Sequence, residues 1–154
     1  MSIKLDATDI KLINLLQEDC KQPIKELSEK LNLSVAPIHD RIKKLERAGI
    51  IKRYVAIVNL EMINKALINY CSVSIVKHHS DVFEEFTKAI REMDEVLECY
   101  YVSGSYDYLL KIISSDMTDY QDFILNKLSK LEHIANINTQ FVMKHVKFKT
   151  SVRL

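Results

Sequence analysis

The chain has 154 residues and carries 22 Lys and Arg against 21 Asp and Glu, so its formal net charge is only +1. It contains two glycines, Gly49 and Gly104. Their number excludes the Gly-x-Gly-x-x-Gly dinucleotide motif, and their wide separation excludes the P-loop and the Gly-x-Ser-x-Gly nucleophile elbow. The length and composition predict a globular protein of one ordinary domain or two small ones, in which any nucleic-acid contact comes from a local basic patch.

Potential metal ligands are scattered along the chain. Its cysteines and histidines lack any metal-binding spacing: Cys20, Cys71, Cys99, His39, His78, His79, His133 and His145. We therefore expect buried or half-buried thiols, no disulfide framework, no metal site and no cofactor. Asp6 and Asp9 stand where a signal peptide needs an apolar run, and no stretch approaches eighteen apolar residues. These features predict a cytoplasmic protein without membrane contacts.

The first fifty residues have the spacing and capping residues of three short helices. Asp6 is placed to cap the first helix, which runs to Gln17, and Pro23 fits the first position of the second. Ser34 is the predicted cap of a third helix over residues 35–48, and Gly49 is its predicted end.

The segment IIKRYVAIVNL, residues 50–60, predicts two short strands with a reversal near Lys52 and Arg53. Three helices followed by a β-ribbon are typical of a winged helix-turn-helix domain, which we place at residues 1–53. A β-strand linker is expected over 54–65. The alternative is a generic three-helix bundle.

Residues 66–154 alternate between strand and helix periodicity in the order βαββαβ, with a last strand expected over 136–149. This order predicts a ferredoxin-like domain with two helices on one face of a four-stranded sheet, and an α+β fold class for the whole chain. The other sheet face needs a cover, for which a second subunit is the simplest candidate. The aromatic and apolar residues available for that face are Tyr70, Tyr100 or Tyr101, Tyr108, and Phe141 or Val142.

The third predicted helix and the residues after it form the basic patch that the overall charge conceals. Residues 34–53 hold six Lys and Arg against two acidic residues. Such a patch is either a solvated surface or a DNA contact; the helix-turn-helix spacing favours DNA. The candidate DNA-binding residues are Ser34, Ala36, Pro37, His39, Asp40, Arg41, Lys43, Lys44, Arg47, Lys52 and Arg53.

Within this set, His39 and Asp40 are the candidate base-reading residues near the start of the helix. The candidate phosphate ligands are Lys43, Lys44, Lys52 and Arg53. Arg41 has two alternative roles, as a DNA contact or as the ion-pair partner of Asp9.

Three blocks of sequence, LDATDIKLINLLQED, ELSEKLNLSVAPIHDRIKKLERAGIIKRY and CYYVSGSYDYLLKI, resemble the Lrp/AsnC family of transcriptional regulators. The resemblance implies an N-terminal DNA-binding domain and a ferredoxin-like sensing domain. It also implies dimers that assemble further into tetramers or octamers, and a small-molecule effector, usually an amino acid. Ser34, Arg41, Leu45 and Gly49 match the family's recognition-helix pattern.

The resemblance also indicates an effector-binding turn, for which the candidates are Gly104, Ser105, Tyr106, Asp107 and, from the last strand, Thr139. Backbone N–H groups at Gly104 could bind a carboxylate, and Asp107 could accept from an ammonium group. The alternative is an ordinary hairpin in which Asp107 binds its own backbone. The chain departs from the family pattern at Cys20-Lys21, where Gly-Arg is usual, and at Ile63-Asn64, where Leu-Gly is common.

The sequence therefore predicts a non-enzymatic, sequence-specific DNA-binding transcriptional regulator whose assembly or DNA affinity responds to a small molecule, with an amino acid as the expected effector. One alternative is an enzyme similar to the tetrapyrrole decarboxylases that share this two-domain layout. The other is an architectural DNA-binding protein that needs no effector.

Overall fold

A computed structural model describes residues 4–76 and 80–154. The chain divides into two compact units, which we call the helical unit, residues 1–57 with 146–154, and the sheet unit, residues 58–145. The expected division placed all of residues 66–154 in one domain, whereas residues 146–154 belong with the helical unit. No helix in the described ranges is long and apolar enough to cross a membrane.

Three helices build the helical unit: α1 (Ala7–Glu18), α2 (Ile24–Leu31) and α3 (Val35–Arg47). Asp6 caps α1 as predicted, because its side chain accepts from the Asp9 N–H at 2.7 Å while the Asp9 side chain accepts from the Asp6 N–H. Pro23 stands at the cap of α2, one residue before the predicted position. The three helices bury a common apolar core around Leu12, Leu27, Ile38 and Leu45.

The connection from α2 to α3 is the tight turn of a helix-turn-helix motif. Only Asn32, Leu33 and Ser34 separate the helices, and Asn32 adopts a left-handed φ of 52°. Ser34 occupies the cap position of α3, although its side chain makes no capping hydrogen bond. At the other end of α3, Gly49 has a φ of 69° and its N–H bonds to Glu46 O, while the Ile50 N–H bonds to Leu45 O. These paired bonds are a Schellman motif, as expected for a glycine just after a helix.

The predicted β-ribbon after α3 is not formed as hydrogen-bonded strands: residues 50–60, all of which are described, contain no strand. The expected β-strand linker over 54–65 contains instead a short 3-10 helix, Glu61–Ile63. A two-residue hairpin requires positive φ angles, and no residue near Lys52 and Arg53 adopts one. The sequence offers no Gly or Asn there, so the reversal has no favourable turn residue.

The sheet unit has the predicted order βαββαβ: β1 (Leu67–Ile75), α4 (Ser80–Arg91), β2 (Val96–Tyr101), β3 (Tyr108–Ser114), α5 (Met117–Asn126) and β4 (Ile134–Phe141). The strands pair antiparallel in the order β2-β3-β1-β4, which confirms the ferredoxin-like arrangement. A single 3-10 turn, Leu128–Lys130, follows α5. The last strand ends at Phe141 rather than continuing to Lys149.

Alternate residues of each strand face the two helices, and this covered face forms the core of the sheet unit. Tyr108 was expected on the open face, but it is buried in this core, with its ring 4.5 Å from that of Phe86. Tyr101 pairs with Tyr108 and contacts Phe83, and Phe141 contacts Tyr120 of α5. These aromatic residues therefore lie on the helix side of the sheet.

The open face keeps Tyr70 and Tyr100 from the predicted set and is otherwise more polar than expected. Tyr70 pairs with Lys111, and the Tyr100 hydroxyl donates to Glu98 Oε2 at 2.7 Å. Lys111 Nζ in turn lies 2.7 Å from Glu98 Oε1. An ion pair between the edge strand β2 and its neighbour β3 thus lies on a face for which an apolar surface was predicted.

The expectation of buried or half-buried thiols is confirmed for Cys71, which is buried. It is wrong for Cys20 and Cys99, which are exposed.

Candidate nucleic-acid interface and ligand turn

Helix α3 has one buried and one exposed face. Ile38 and Leu45 are fully buried and Ile42 is half-buried, as the apolar stripe predicted. The opposite side exposes the predicted residues Ala36, Pro37, His39, Asp40, Lys43 and Arg47. Small and polar side chains thus occupy the start of the exposed face and cations its end, an arrangement that fits base edges first and phosphates after.

Arg41 is partly buried and forms the structural ion pair that was one of its two predicted roles. Its Nη1 lies 2.6 Å from Asp6 Oδ2 and 2.6 Å from Asp9 Oδ1. Lys44, predicted to bind phosphate, lies with its Nζ 3.0 Å from Asp9 Oδ2. Both cations of α3 nearest to α1 are therefore engaged by carboxylates that cap α1.

The buried Asp9 carboxylate is held ionised by these contacts. Burial alone would raise its pKa, but hydrogen bonds from Lys44 and Arg41 outweigh burial, so the pKa lies below its usual value. The pKa of Asp6 is lowered by the Asp9 backbone N–H and by Arg41. The pKa of Arg41 is raised by Asp6 and Asp9. These ion pairs hold α3 against the start of α1.

Four other predicted cations make no ion pair with any described residue: Lys43, Arg47, Lys52 and Arg53. All four are exposed. Because they carry no internal carboxylate partner, their charges remain available to an external anion such as a phosphate.

Sequence reasoning missed two residues of this unit. Val35, the first residue of α3, leaves 47% of its surface exposed beside Ala36 and Pro37. An exposed methyl-bearing side chain there suits a thymine methyl group. The hydroxyl of Tyr54 donates to Glu46 Oε1 at 3.0 Å, and burial followed by this contact raises its pKa to about 12. The sequence already showed that Val35 lies outside the buried stripe of α3. No feature of the sequence indicated the contact between Tyr54 and Glu46.

The turn between β2 and β3 contains the predicted ligand residues. Gly104 is exposed with a φ of 134°, a region that other residues rarely adopt. Asp107 Oδ2 accepts from the Ile75 N–H at 2.7 Å, and the Asp107 N–H donates to Val73 O at 3.0 Å. The Asp107 carboxylate therefore ties the turn to β1, so that at least part of its role is structural.

Ser105 and Tyr106 line a shallow concavity of about 290 Å³ on the open face of the sheet. The rest of its lining is polar and was not predicted: Ser72, Ser74, Asn136, Asn138 and Gln140. The alternation of polar residues along β1 and β4 was the sequence signal for it. Thr139 lies on the other face, where its Oγ1 accepts from the Tyr120 hydroxyl at 2.5 Å and contacts Cys71 Sγ. The structure thus does not bring Thr139 together with the turn.

Comparison with known families covers nearly the whole chain. A model described as the Lrp/AsnC ligand binding domain matches residues 69–152, and a winged helix-turn-helix DNA-binding model matches residues 5–52. The chain belongs to the Lrp/AsnC family. It is thus a transcriptional regulator with a helix-turn-helix DNA-binding domain and a ligand-binding domain.

Individual relatives of this Lrp/AsnC chain agree. The leucine-responsive regulatory protein of Haemophilus influenzae is 40% identical over 143 residues, 93% of this chain and 86% of that protein. The leucine-responsive regulatory protein of Escherichia coli K12 is 35% identical over 93% of this chain and 87% of its own length. A solved Neisseria meningitidis regulator in complex with L-Met has a TM-score of 0.92 and 37% identity, covering 97% of this chain and 96% of that one.

Metal ligands do not cluster within residues 4–76 and 80–154, where no group of three or more His, Cys, Asp or Glu side chains could hold an ion. His78 and His79, two of the scattered histidines, lie outside the described residues.

Proposed function

We propose that this regulator acts in the cytoplasm as a homodimer or larger assembly, binds specific duplex DNA through α3, and responds to an amino acid. It acts by binding rather than by catalysis. The observation that carries the proposal is the division of cations on and after α3. Arg41 and Lys44 are bound by carboxylates of the same unit, whereas Lys43, Arg47, Lys52 and Arg53 are exposed and make no ion pair with any described residue.

The residues of the exposed face take distinct roles in this proposal. Val35, His39 and Asp40 face base edges in the major groove, because they lie in the first turns of the helix. Lys43 and Arg47, one turn apart at the other end, contact phosphates on either side of the groove. Arg41 and Lys44 hold α3 in place and contribute to DNA binding only through that positioning.

The test measures binding to a duplex selected from a random-sequence pool, by fluorescence anisotropy at several salt concentrations. The double variant Lys43→Gln/Arg47→Gln is expected to lose at least tenfold in affinity and to lower the salt slope by about 2 per subunit. The matched control is Lys88→Gln/Lys130→Gln, which removes two exposed cations of the sheet unit. Equal affinity of wild type and the α3 variant would refute the assignment.

The amino-acid effector is proposed on two grounds. The Neisseria meningitidis relative, 37% identical over nearly the full length, is described in complex with L-Met. In this chain, the Gly104–Asp107 turn contains exposed backbone at Gly104 and the carboxylate of Asp107, and Ser105 and Tyr106 border a polar concavity. This combination offers donors to a carboxylate and an acceptor to an ammonium group.

Calorimetry with the twenty amino acids tests the effector site. Asp107→Asn keeps an oxygen that can accept from the Ile75 N–H but removes the charge that balances an ammonium group. We expect it to weaken binding of the amino acid at least tenfold while DNA affinity stays within twofold. Asp122→Asn, an exposed carboxylate of α5, is the control. An unchanged ligand affinity in Asp107→Asn would remove this turn from the site.

Self-association is proposed to use the open face of the sheet. Tyr70 and Tyr100 supply apolar area, and the Glu98–Lys111 pair supplies complementary charge for a two-fold interface. Tyr70→Arg is expected to shift the sedimentation mass toward monomer, whereas Lys130→Gln, also exposed in the sheet unit, leaves the mass unchanged. A variant with the wild-type mass would contradict this interface.

A further inference from the structure

Residues 146–154, which we call the basic segment, have an unusual charge distribution. Lys147, Lys149 and Arg153 alternate with apolar or hydroxyl side chains, and no carboxylate side chain occurs anywhere from residue 133 to 154. All nine residues are exposed. The segment follows β4 in sequence but belongs to the helical unit. Its charges are therefore part of the same unit as α3.

The basic segment is anchored by a two-way hydrogen bond. Gln17 Nε2 of α1 donates to Val152 O at 2.9 Å, and the Val152 N–H donates to Gln17 Oε1 at 2.7 Å. A side-chain amide that bonds both groups of one residue fixes that residue in a single register. The segment is therefore held by a specific contact, although its side chains stay exposed.

The anchored segment lies beside cations that already have a proposed role in DNA binding. Thr150 borders a cavity of about 510 Å³ whose charged and amide-bearing walls are Gln17, Lys21, Lys52 and Arg53 together with the carboxylates Glu18 and Asp19. The cavity joins the anchor, the basic segment and two candidate phosphate ligands on one surface of the helical unit.

The charge balance of the two units indicates the chemistry of the partner. Residues 1–57 and 146–154 together hold 14 Lys and Arg against 8 Asp and Glu, a net charge of +6, whereas residues 1–57 alone have 11 against 8, or +3. The remaining residues, 58–145, hold 8 against 13, a net charge of −5. The basic segment doubles the positive charge of the unit that carries α3, which complements a polyanion.

We infer that the basic segment is a second contact with the phosphate backbone of the duplex bound by α3. Lys147, Lys149 and Arg153 bind phosphates without reading sequence, and Gln17 is a positioning residue that keeps them beside Lys52 and Arg53. This inference rests on the proposed DNA binding. Unlike the base contacts proposed for α3, these phosphate contacts should contribute the same binding free energy on every duplex sequence.

The test neutralises the segment in the full-length protein with the triple variant Lys147→Gln/Lys149→Gln/Arg153→Gln. We expect a loss of affinity by the same factor on the selected duplex and on a scrambled duplex. The plot of log K against log salt should flatten by up to about 2.7 per subunit, since each neutralised phosphate contributes about 0.9. The matched control Lys88→Gln/Arg91→Gln/Lys130→Gln removes three exposed cations of the sheet unit and should leave both quantities unchanged.

A second variant, Gln17→Leu, keeps every charge and removes only the anchor. We expect a weaker loss than for the triple variant, again equal on both duplexes. Its effect should disappear when it is combined with the triple variant, because an anchor without the cations positions nothing. If Gln17→Leu instead lowers the affinity by the same factor in wild type and in the triple variant, the role of Gln17 is purely structural and its positioning role is overturned.

The outcomes separate this inference from the proposed function. If wild type binds neither duplex, the DNA-binding proposal fails. If wild type prefers the selected duplex but the triple variant retains its salt slope, only the inference about the basic segment fails. The inference also fails if the triple variant forms a smaller assembly by sedimentation and its salt slope falls only in proportion to the number of subunits lost. The basic segment would then contact the acidic sheet unit of another copy instead of DNA.

Discussion

The helical unit and the sheet unit differ in how they treat buried polar side chains. Asp9 of the helical unit is fully buried, and its carboxylate is bound by Arg41 and Lys44. In the sheet unit, Asn69 and Ser114 are equally buried, yet no described residue supplies a hydrogen-bond partner for either side chain. A neutral amide or hydroxyl can be tolerated in this way at about 1–3 kcal/mol, whereas an unpaired carboxylate cannot.

Ion pairs therefore position the helices of the helical unit, whereas apolar packing stabilises the sheet unit. The ion pairs of Asp6 and Asp9 join α1 to α3 across 32 to 35 residues of sequence and so set the position of the DNA-facing helix. In the sheet unit, the two buried polar side chains contribute nothing comparable. Removing the charge of a buried polar side chain should therefore lower the free energy of unfolding in the helical unit, whereas removing a buried polar group of the sheet unit should leave it unchanged or raise it.

The largest expected effect is that of Asp9→Asn. The variant retains the volume of the side chain but leaves Arg41 and Lys44 without their buried partner, and we expect it to destabilise the helical unit by about 2–4 kcal/mol. The loss stays below that of a fully buried ion pair because both cations are partly exposed. Urea unfolding followed by far-UV circular dichroism gives the measurement. A loss under 1 kcal/mol would show that charge pairing is not what holds α3.

Acid should weaken the same contact. Because the folded pKa values of Asp6 and Asp9 lie below the ordinary value of 3.8, their contribution is complete above that pH and is lost as the pH falls through the lower, folded values. The urea midpoint of wild type should drop steeply below about pH 4. The Asp9→Asn variant should show a flatter dependence; parallel curves for the two proteins would contradict the sign of the pKa shift.

Smaller effects are expected at the two glycines, one in each unit. Gly104→Ala should cost about 1–3 kcal/mol, because a φ of 134° is unfavourable for any side chain although no atom lies within 4 Å of the added carbon. Gly49→Ala, at a φ of 69°, should cost about 1 kcal/mol. Thermal unfolding of the two variants gives the order of their stabilities. A reversed order would show that the φ angle of the glycine does not decide the cost, since neither position restricts the space for the added carbon.

The smallest effect carries the opposite sign. Asn69→Leu replaces a buried amide by an apolar side chain of similar size in the core of the sheet unit, and should be neutral or stabilising by up to about 1 kcal/mol. Ser114→Ala, which removes the other buried hydroxyl, is the companion variant. Destabilisation of both by more than 1 kcal/mol would show that these groups have partners in solution and that the contrast between the units is weaker than described.

Local signals in the sequence were sufficient for most elements. Asp6 and Gly49 mark helix ends through their own backbone preferences, and the alternation of Cys71, Val73 and Ile75 defined the covered side of β1. The exposed face of α3 followed from the stripe of Ile38 and Leu45. These features depend on residues a few positions apart, so the sequence displays them directly.

Features that depend on distant residues were harder to predict. Lys44 is one of the predicted phosphate ligands, and nothing in the local pattern shows that it also reaches a carboxylate 35 residues away. Tyr108 was assigned to the wrong face because a shift of one residue in the turn before β3 reverses every side chain of that strand. The predicted ribbon at residues 50–60 had suitable strand residues, but a strand also requires a partner that the sequence does not specify.

The division of the chain has a consequence for its synthesis. Residues 1–57 leave the ribosome first, yet residues 146–154, which bind Gln17 through Val152, are added only after the entire sheet unit has been translated. The recognition helix can therefore fold early, but the basic surface around it is assembled only when translation of the ligand-binding part is finished. A nascent chain that stops within the sheet unit would carry the DNA-reading helix without the charges that we infer hold it to DNA.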